Sequence, residues 1–107
     1  MAFFERTFTG DFDSLLAKVE KAVLEKSISA TKEESIDYRT PQGRCSIRVF
    51  ERYSFASGCR VSMNVTLFQA GDEIHLCAVT SGGSQAIFWK VSTWGEETFL
   101  ESLQDAL

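Results

Sequence analysis

The stretch CRVSMNVTLF, Cys59 to Phe68, decides how the rest of the chain is read. Cys59, Val61, Met63, Val65 and Leu67 alternate with Arg60, Ser62, Asn64, Thr66 and Phe68, the period of two expected of a strand with one face on a core. Neighbouring segments are then placed by requiring their apolar residues to share that face.

Upstream, Cys45, Ile47 and Val49 stand at odd positions of the segment Cys45–Phe55. Matching them to the odd apolar residues of the central strand requires a loop of odd length, and Ala56-Ser57-Gly58 supplies one ending in a glycine suited to a bulge. Before it, Pro41-Gln42-Gly43 reads as a tight turn, because proline presets φ and glycine tolerates the close of the turn. With Thr40 opposite Gly43, Tyr38 pairs with Cys45 and Ile36 with Ile47, all expected on the core face. The other face then carries Arg39 by Arg44 and Ser35 by Arg48, polar as a solvated sheet face should be.

Downstream, a two-residue Gly71-Asp72 turn returns Ile74, Leu76 and Ala78 along the same core face. Gly82-Gly83 suits a mirror-type hairpin turn and sets Ile87, Trp89 and Val91 opposite Ala78, Leu76 and Ile74, which predicts a strand at 86–91. Residues 2–9, AFFERTFT, read as a first strand with Phe4 and Phe8 on one face. Asp11 or Asp13 is placed to cap a helix whose apolar stripe is Phe12, Leu15, Leu16, Val19, Ala22 and Val23. A last helix opens at Ser92 or Thr93, with Thr93 and Glu96 at capping-box spacing and Phe99, Leu100, Leu103 and Leu107 as its stripe.

The expected fold is therefore α+β: a single antiparallel sheet of five to six strands, in chain order β-α-β-β-β-β-β-α, with two helices on one face. The first strand returns beside the last in the spatial order 1-6-5-4-3-2; a helical 86–91 would leave five strands. This inferred topology resembles the helix-grip folds, such as the Bet v 1-like proteins and, with one strand fewer, the TATA-binding-protein-like folds. The chain is also similar to small bacterial proteins of unknown function. A resemblance of topology transfers no functional residue.

With 107 residues, 15 acidic against 11 basic and a net charge of −4, the composition is that of one soluble globular domain spanning 1–107. No run approaches the roughly 18 apolar residues of a membrane span, so no membrane association is expected. The start MAFFERTFTGDFD lacks the basic and apolar parts of a secretory signal, which points to the cytoplasm. Cys45, Cys59 and Cys77 are odd in number and lack CxxC spacing, as reduced thiols do; no cofactor or metal is expected.

Four features bear on function. The sheet face away from the helices is expected to carry Phe50, Phe68, Cys77, Val79, Ala86 and Phe88, and an open apolar face marks an interface. Phe50, Phe68, Val79 and Phe88 are thus the candidates for a homodimer or protein-partner contact. Arg39, Arg44, Arg48, Arg52 and Arg60 are expected to cluster on that face, where guanidinium groups could grip an anion; an acidic chain argues against nucleic acid. His75 and Cys77 point the same way along a strand, the spacing of a nucleophile and base or half a metal site, although lone histidines and cysteines are more often packing residues. Met63, Trp89 and Phe99 could line a cavity between helix and sheet for a small apolar ligand, as the helix-grip resemblance implies. The expectation is a non-catalytic binding module working through the open sheet face, with a carrier or sensor of a small apolar ligand as the alternative.

Overall fold

Strand β1 (Ala2–Thr9) leads into helix α1 (Phe12–Lys26), and four strands follow as successive hairpins: β2 (Thr31–Thr40), β3 (Gly43–Ser54), β4 (Cys59–Ala70) and β5 (Glu73–Gly82). The computed structural model describes residues 1–26, 29–54, 59–82, 103, 104 and 107. The expected strand at 86–91 and most of the expected last helix lie outside the described residues.

The helix begins where the sequence places its cap. Asp11 Oδ2 accepts the Ser14 backbone N–H and the Ser14 hydroxyl, each at 2.8 Å, satisfying one of the donors left free in a first turn. Phe12, Leu15, Val19, Ala22 and Val23 form its buried stripe.

All five strands form one antiparallel sheet in the order β1-β5-β4-β3-β2. β1 lies along β5, Ala2 opposite Thr80 and Thr9 opposite Glu73. It therefore occupies the edge of β5 that a strand at 86–91 was expected to take. The described architecture is five strands and one helix, not six and two.

Two hairpins have the expected register. Ala70 faces Glu73 across a two-residue turn, and Gly71 takes φ +68° there, a left-handed conformation that costs glycine little. Thr40 faces Gly43, Tyr38 faces Cys45 and Ile36 faces Ile47. Gly43 is needed for close approach, since a Cβ there would lie 2.3 Å from the Gln69 carbonyl oxygen.

The third hairpin differs. Ser54 pairs with Cys59, and Phe50 with Met63, so the β3–β4 connection holds four residues rather than three. A one-residue change of register moves every side chain of a strand to the opposite face. Ser46, Arg48 and Phe50 consequently join Leu67, Val65 and Met63 on the helix side, while Cys45, Ile47 and Val49 share the open face with Phe68, Thr66 and Asn64. Phe50, expected on the open face, is fully buried. Its ring is the largest apolar group on β3, and burying it favours this phase over one that buries Cys45 and Ile47 instead.

The core lies between α1 and the sheet. Val61, Met63, Val65 and Leu67 of β4, Ile74, Leu76 and Ala78 of β5, Phe50 of β3 and Phe4 of β1 pack with the helix stripe and Leu103. Edge strand β2 contributes nothing to it: all ten of its residues are exposed.

Candidate functional site

Antiparallel pairing sets side chains of the open face in rows across the sheet. One row runs Tyr38, Cys45, Phe68, His75, Thr7; the next Ile36, Ile47, Thr66, Cys77, Glu5; the third Glu34, Val49, Asn64, Val79, Phe3. The middle of this face carries no charge. Tyr38 is 61 % exposed, Phe68 48 % and Phe3 65 %.

Tyr38 and Phe68 stand two strands apart, about 9.5 Å at the usual strand spacing, with the smaller Cys45 between them. Gly43 and Ala70 occupy the row beyond, where they leave the floor low. The result is a largely apolar slot of about 320 Å³ between the two rings, lined also by Thr40, Gln42 and Arg44. Phe68 also stacks on His75, ring centroids 6.3 Å apart and planes 23° from parallel. On the far side of this ridge lies a second depression of about 230 Å³, lined by Glu5, Thr7, Thr66 and Cys77.

The structure places Phe68 and Val79 on the open face, as the sequence predicts. It places Phe50 in the core, and Phe88 lies outside the described residues. Tyr38, Ile36, Cys45, Ile47 and Val49, expected inside, are the open-face residues that sequence reasoning missed. The signal that could have found them is Phe50: burying it against Met63 fixes the phase of β3 and, through the hairpin, that of β2.

The arginines do not gather on the open face. Arg44 reaches over the helix side, its guanidinium 4.0 Å from the Phe12 ring centroid and Nη2 2.9 Å from Asp13 Oδ1. Arg48 is only 7 % exposed. Its Nε donates to Glu20 Oε1 at 2.7 Å, Nη2 lies 3.1 Å from Asp37 Oδ1, and Nη1 donates to the Ile47 and Ile36 carbonyls at 3.0 and 3.4 Å. Burial pulls the Arg48 guanidinium down, but its bonds to Glu20 and Asp37 outweigh that and hold it above its ordinary value. Asp37 also accepts the Ser46 hydroxyl at 2.6 Å. That bond, with Arg48, holds its carboxyl below the usual range. Arg39 pairs across the hairpin with Arg44, and Arg52 pairs with Val61; Arg60, on the open face, lies 2.9 Å from Glu51.

His75 and Cys77 share the open face but are not joined. His75 Nδ1 lies 3.2 Å from Thr7 Oγ1, and its Nε2 3.5 Å from Glu73 Oε2. Burial, with the nearby Glu5 carboxylate, pushes the Cys77 thiol up, the reverse of what an activated nucleophile needs. No three metal-ligating side chains cluster among the described residues.

Met63 is fully buried in the helix–sheet core; Trp89 and Phe99 lie outside the described residues. The two depressions above lie on the open face. A third, of about 390 Å³, lies at the β2–β3 turn between Arg39 and Gln69. No described helix is long and apolar enough to cross a membrane.

No curated protein matches the chain. The model of a family described as being of unknown function, DUF6054, matches residues 1–107, and the chain belongs to that family.

Proposed function

We propose that this chain is a non-catalytic binding module whose working surface is the open sheet face. Its partner is a protein that lays an aromatic or branched aliphatic side chain into the slot between Tyr38 and Phe68. The observation that carries this reading is the slot itself, largely apolar and flanked by two half-exposed rings at the end of the open face next to the β2–β3 turn. Full burial of one such side chain contributes about 1.5–3 kcal/mol, which suits an anchor residue at the centre of an interface. Burial and Glu5 hold the Cys77 thiol protonated, against its use as a thiolate nucleophile. Free thiols at Cys45 and Cys77 fit a reducing, cytoplasmic setting.

A titration of isotope-labelled protein with N-acetyl-phenylalaninamide and N-acetyl-leucinamide tests this by amide chemical shifts. The reading expects shifts at Tyr38, Cys45, Phe68 and Ala70 that Phe68→Glu abolishes. Shifts centred on Met63, Val19 and Leu103 would instead support a small apolar ligand between helix and sheet. No shift at millimolar probe would refute the slot as a binding site.

A further inference from the structure

Charge is divided between the two sides of the sheet. Among the described residues the strand bases lie on the helix side: Arg6 over the Phe4 and Phe8 rings, Lys32 3.5 Å from Glu20, and Arg39, Arg44, Arg48 and Arg52 by register. Arg60 is the exception; it stands on the open face, 2.9 Å from Glu51.

The open face carries acids instead. Register puts Glu5, Glu34 and Glu73 there, opposite Cys77, Val49 and Ala70. The irregularity between Lys32 and Glu34 adds Glu33, whose carboxylate accepts the hydroxyl of Thr31, the partner of open-face Glu51. No described lysine or arginine pairs with any of these four glutamates. Glu33 and Glu34 mark one edge of the sheet and Glu5 the other, with Ile47, Val49, Phe68 and Val79 between them.

This arrangement selects among occupants. A second copy laid face to face would set carboxylate against carboxylate, which is unfavourable. Residues 83–107 hold Glu96, Glu97, Glu101 and Asp105 against Lys90 alone, so charge disfavours the rest of this chain as well. A basic partner is favoured. Strands β1 and β2 stand four strand spacings apart, about 19 Å. An α-helix with its side chains is about 10–12 Å across, and lysine or arginine on its flanks extends beyond that while the stems stay on apolar surface.

We propose that the partner of the open face is a protein segment docking as a basic amphipathic helix. Its apolar stripe lies along β3 and β4 with one side chain in the slot, and its flanking bases meet Glu33 and Glu34 on one side and Glu5 on the other. The anchor rests on the slot reading; the sign and shape of the partner rest on the divided charge.

Two synthetic peptides test this on the full chain. One carries leucine and one phenylalanine on its apolar face with lysine on both flanks; the other has glutamate at every lysine. The lysine peptide should bind at least about tenfold tighter and shift the amides of Glu5, Glu34, Phe68 and Val79. Glu5→Lys and Glu34→Lys should each weaken it about fivefold. Glu25→Lys on α1 changes the net charge equally and should leave binding within error. Equal affinity of the two peptides, equal loss in Glu25→Lys, shifts confined to α1, or no binding of the lysine peptide would each overturn the proposal. Shifts by N-acetyl-phenylalaninamide at Tyr38 and Phe68 would then still leave the slot standing, whereas their absence too would remove both. Growth of the sedimenting mass with concentration of the chain alone, lost in Glu34→Lys, would make the occupant a second copy and overturn the proposal as well.

Discussion

Phe50 and Phe68 lie on strands one hairpin apart, and removing each ring should cost very different amounts. Phe50 is 0 % exposed and packs among the core residues on the helix side; Phe68 is 48 % exposed on the open face. Truncating a fully buried phenylalanine to alanine loses its transfer free energy and leaves a cavity, together about 3–5 kcal/mol. A half-exposed ring leaves no enclosed cavity. It forfeits about half of the roughly 1.5–3 kcal/mol of full burial, so Phe68→Ala should cost about 1 kcal/mol. With a urea m-value of about 1.2 kcal/mol/M, suited to a chain of this size, the midpoints should fall by about 3 M and about 1 M respectively. Urea unfolding followed by far-UV circular dichroism gives both numbers on one instrument. Equal costs, or a larger cost at Phe68, would refute the four-residue β3–β4 connection and return β3 to the opposite phase.

Two further outcomes follow from the Arg48 network. Arg48→Ala should destabilise by about 3 kcal/mol, the low end for breaking a buried pair, because Glu20 and Asp37 both reach water; adding Glu20→Gln should recover part of that loss in the same urea assay, and strict additivity would refute the coupling. The second outcome is pH-dependent: the folded chain holds the Asp37 carboxyl below its ordinary value, through Ser46 first and then Arg48, so its contribution is present above the unfolded value of about 3.9 and lost as pH falls through the folded one. The stability gap between wild type and Asp37→Asn should therefore narrow below about pH 4, and a gap constant down to pH 2 would contradict the assignment.

What was legible in the chain was local. The period of β4, the stripe of α1, the Asp11 cap and the two short turns at Pro41-Gln42 and Gly71-Asp72 each depend on residues within a few positions of one another. The phase of β3 did not. The segment Phe55-Ala56-Ser57-Gly58 suits a three- or a four-residue connection, and only what becomes buried decides between them. Arg48 looked like a residue for water because its partners, Glu20 and Asp37, lie 28 and 11 positions away. Burial of a guanidinium becomes favourable only when such partners meet it. The same limit explains the slot: Tyr38 and Phe68 flank Cys45 only after both hairpins are in register. The sheet order was legible more coarsely: the first strand was expected to return beside the last, and it lies along β5, as in the five-stranded alternative.

That pairing sets an order of events. Ala2 meets Thr80, so the first strand emerges from the ribosome well before its mate. At roughly 5–20 residues per second the wait is on the order of 4–16 s. The hairpins β2–β3, β3–β4 and β4–β5 close over neighbouring residues and have no such delay. During synthesis the β1 phenylalanines Phe4 and Phe8 must therefore wait in water, or on a chaperone, until β5 arrives to receive them.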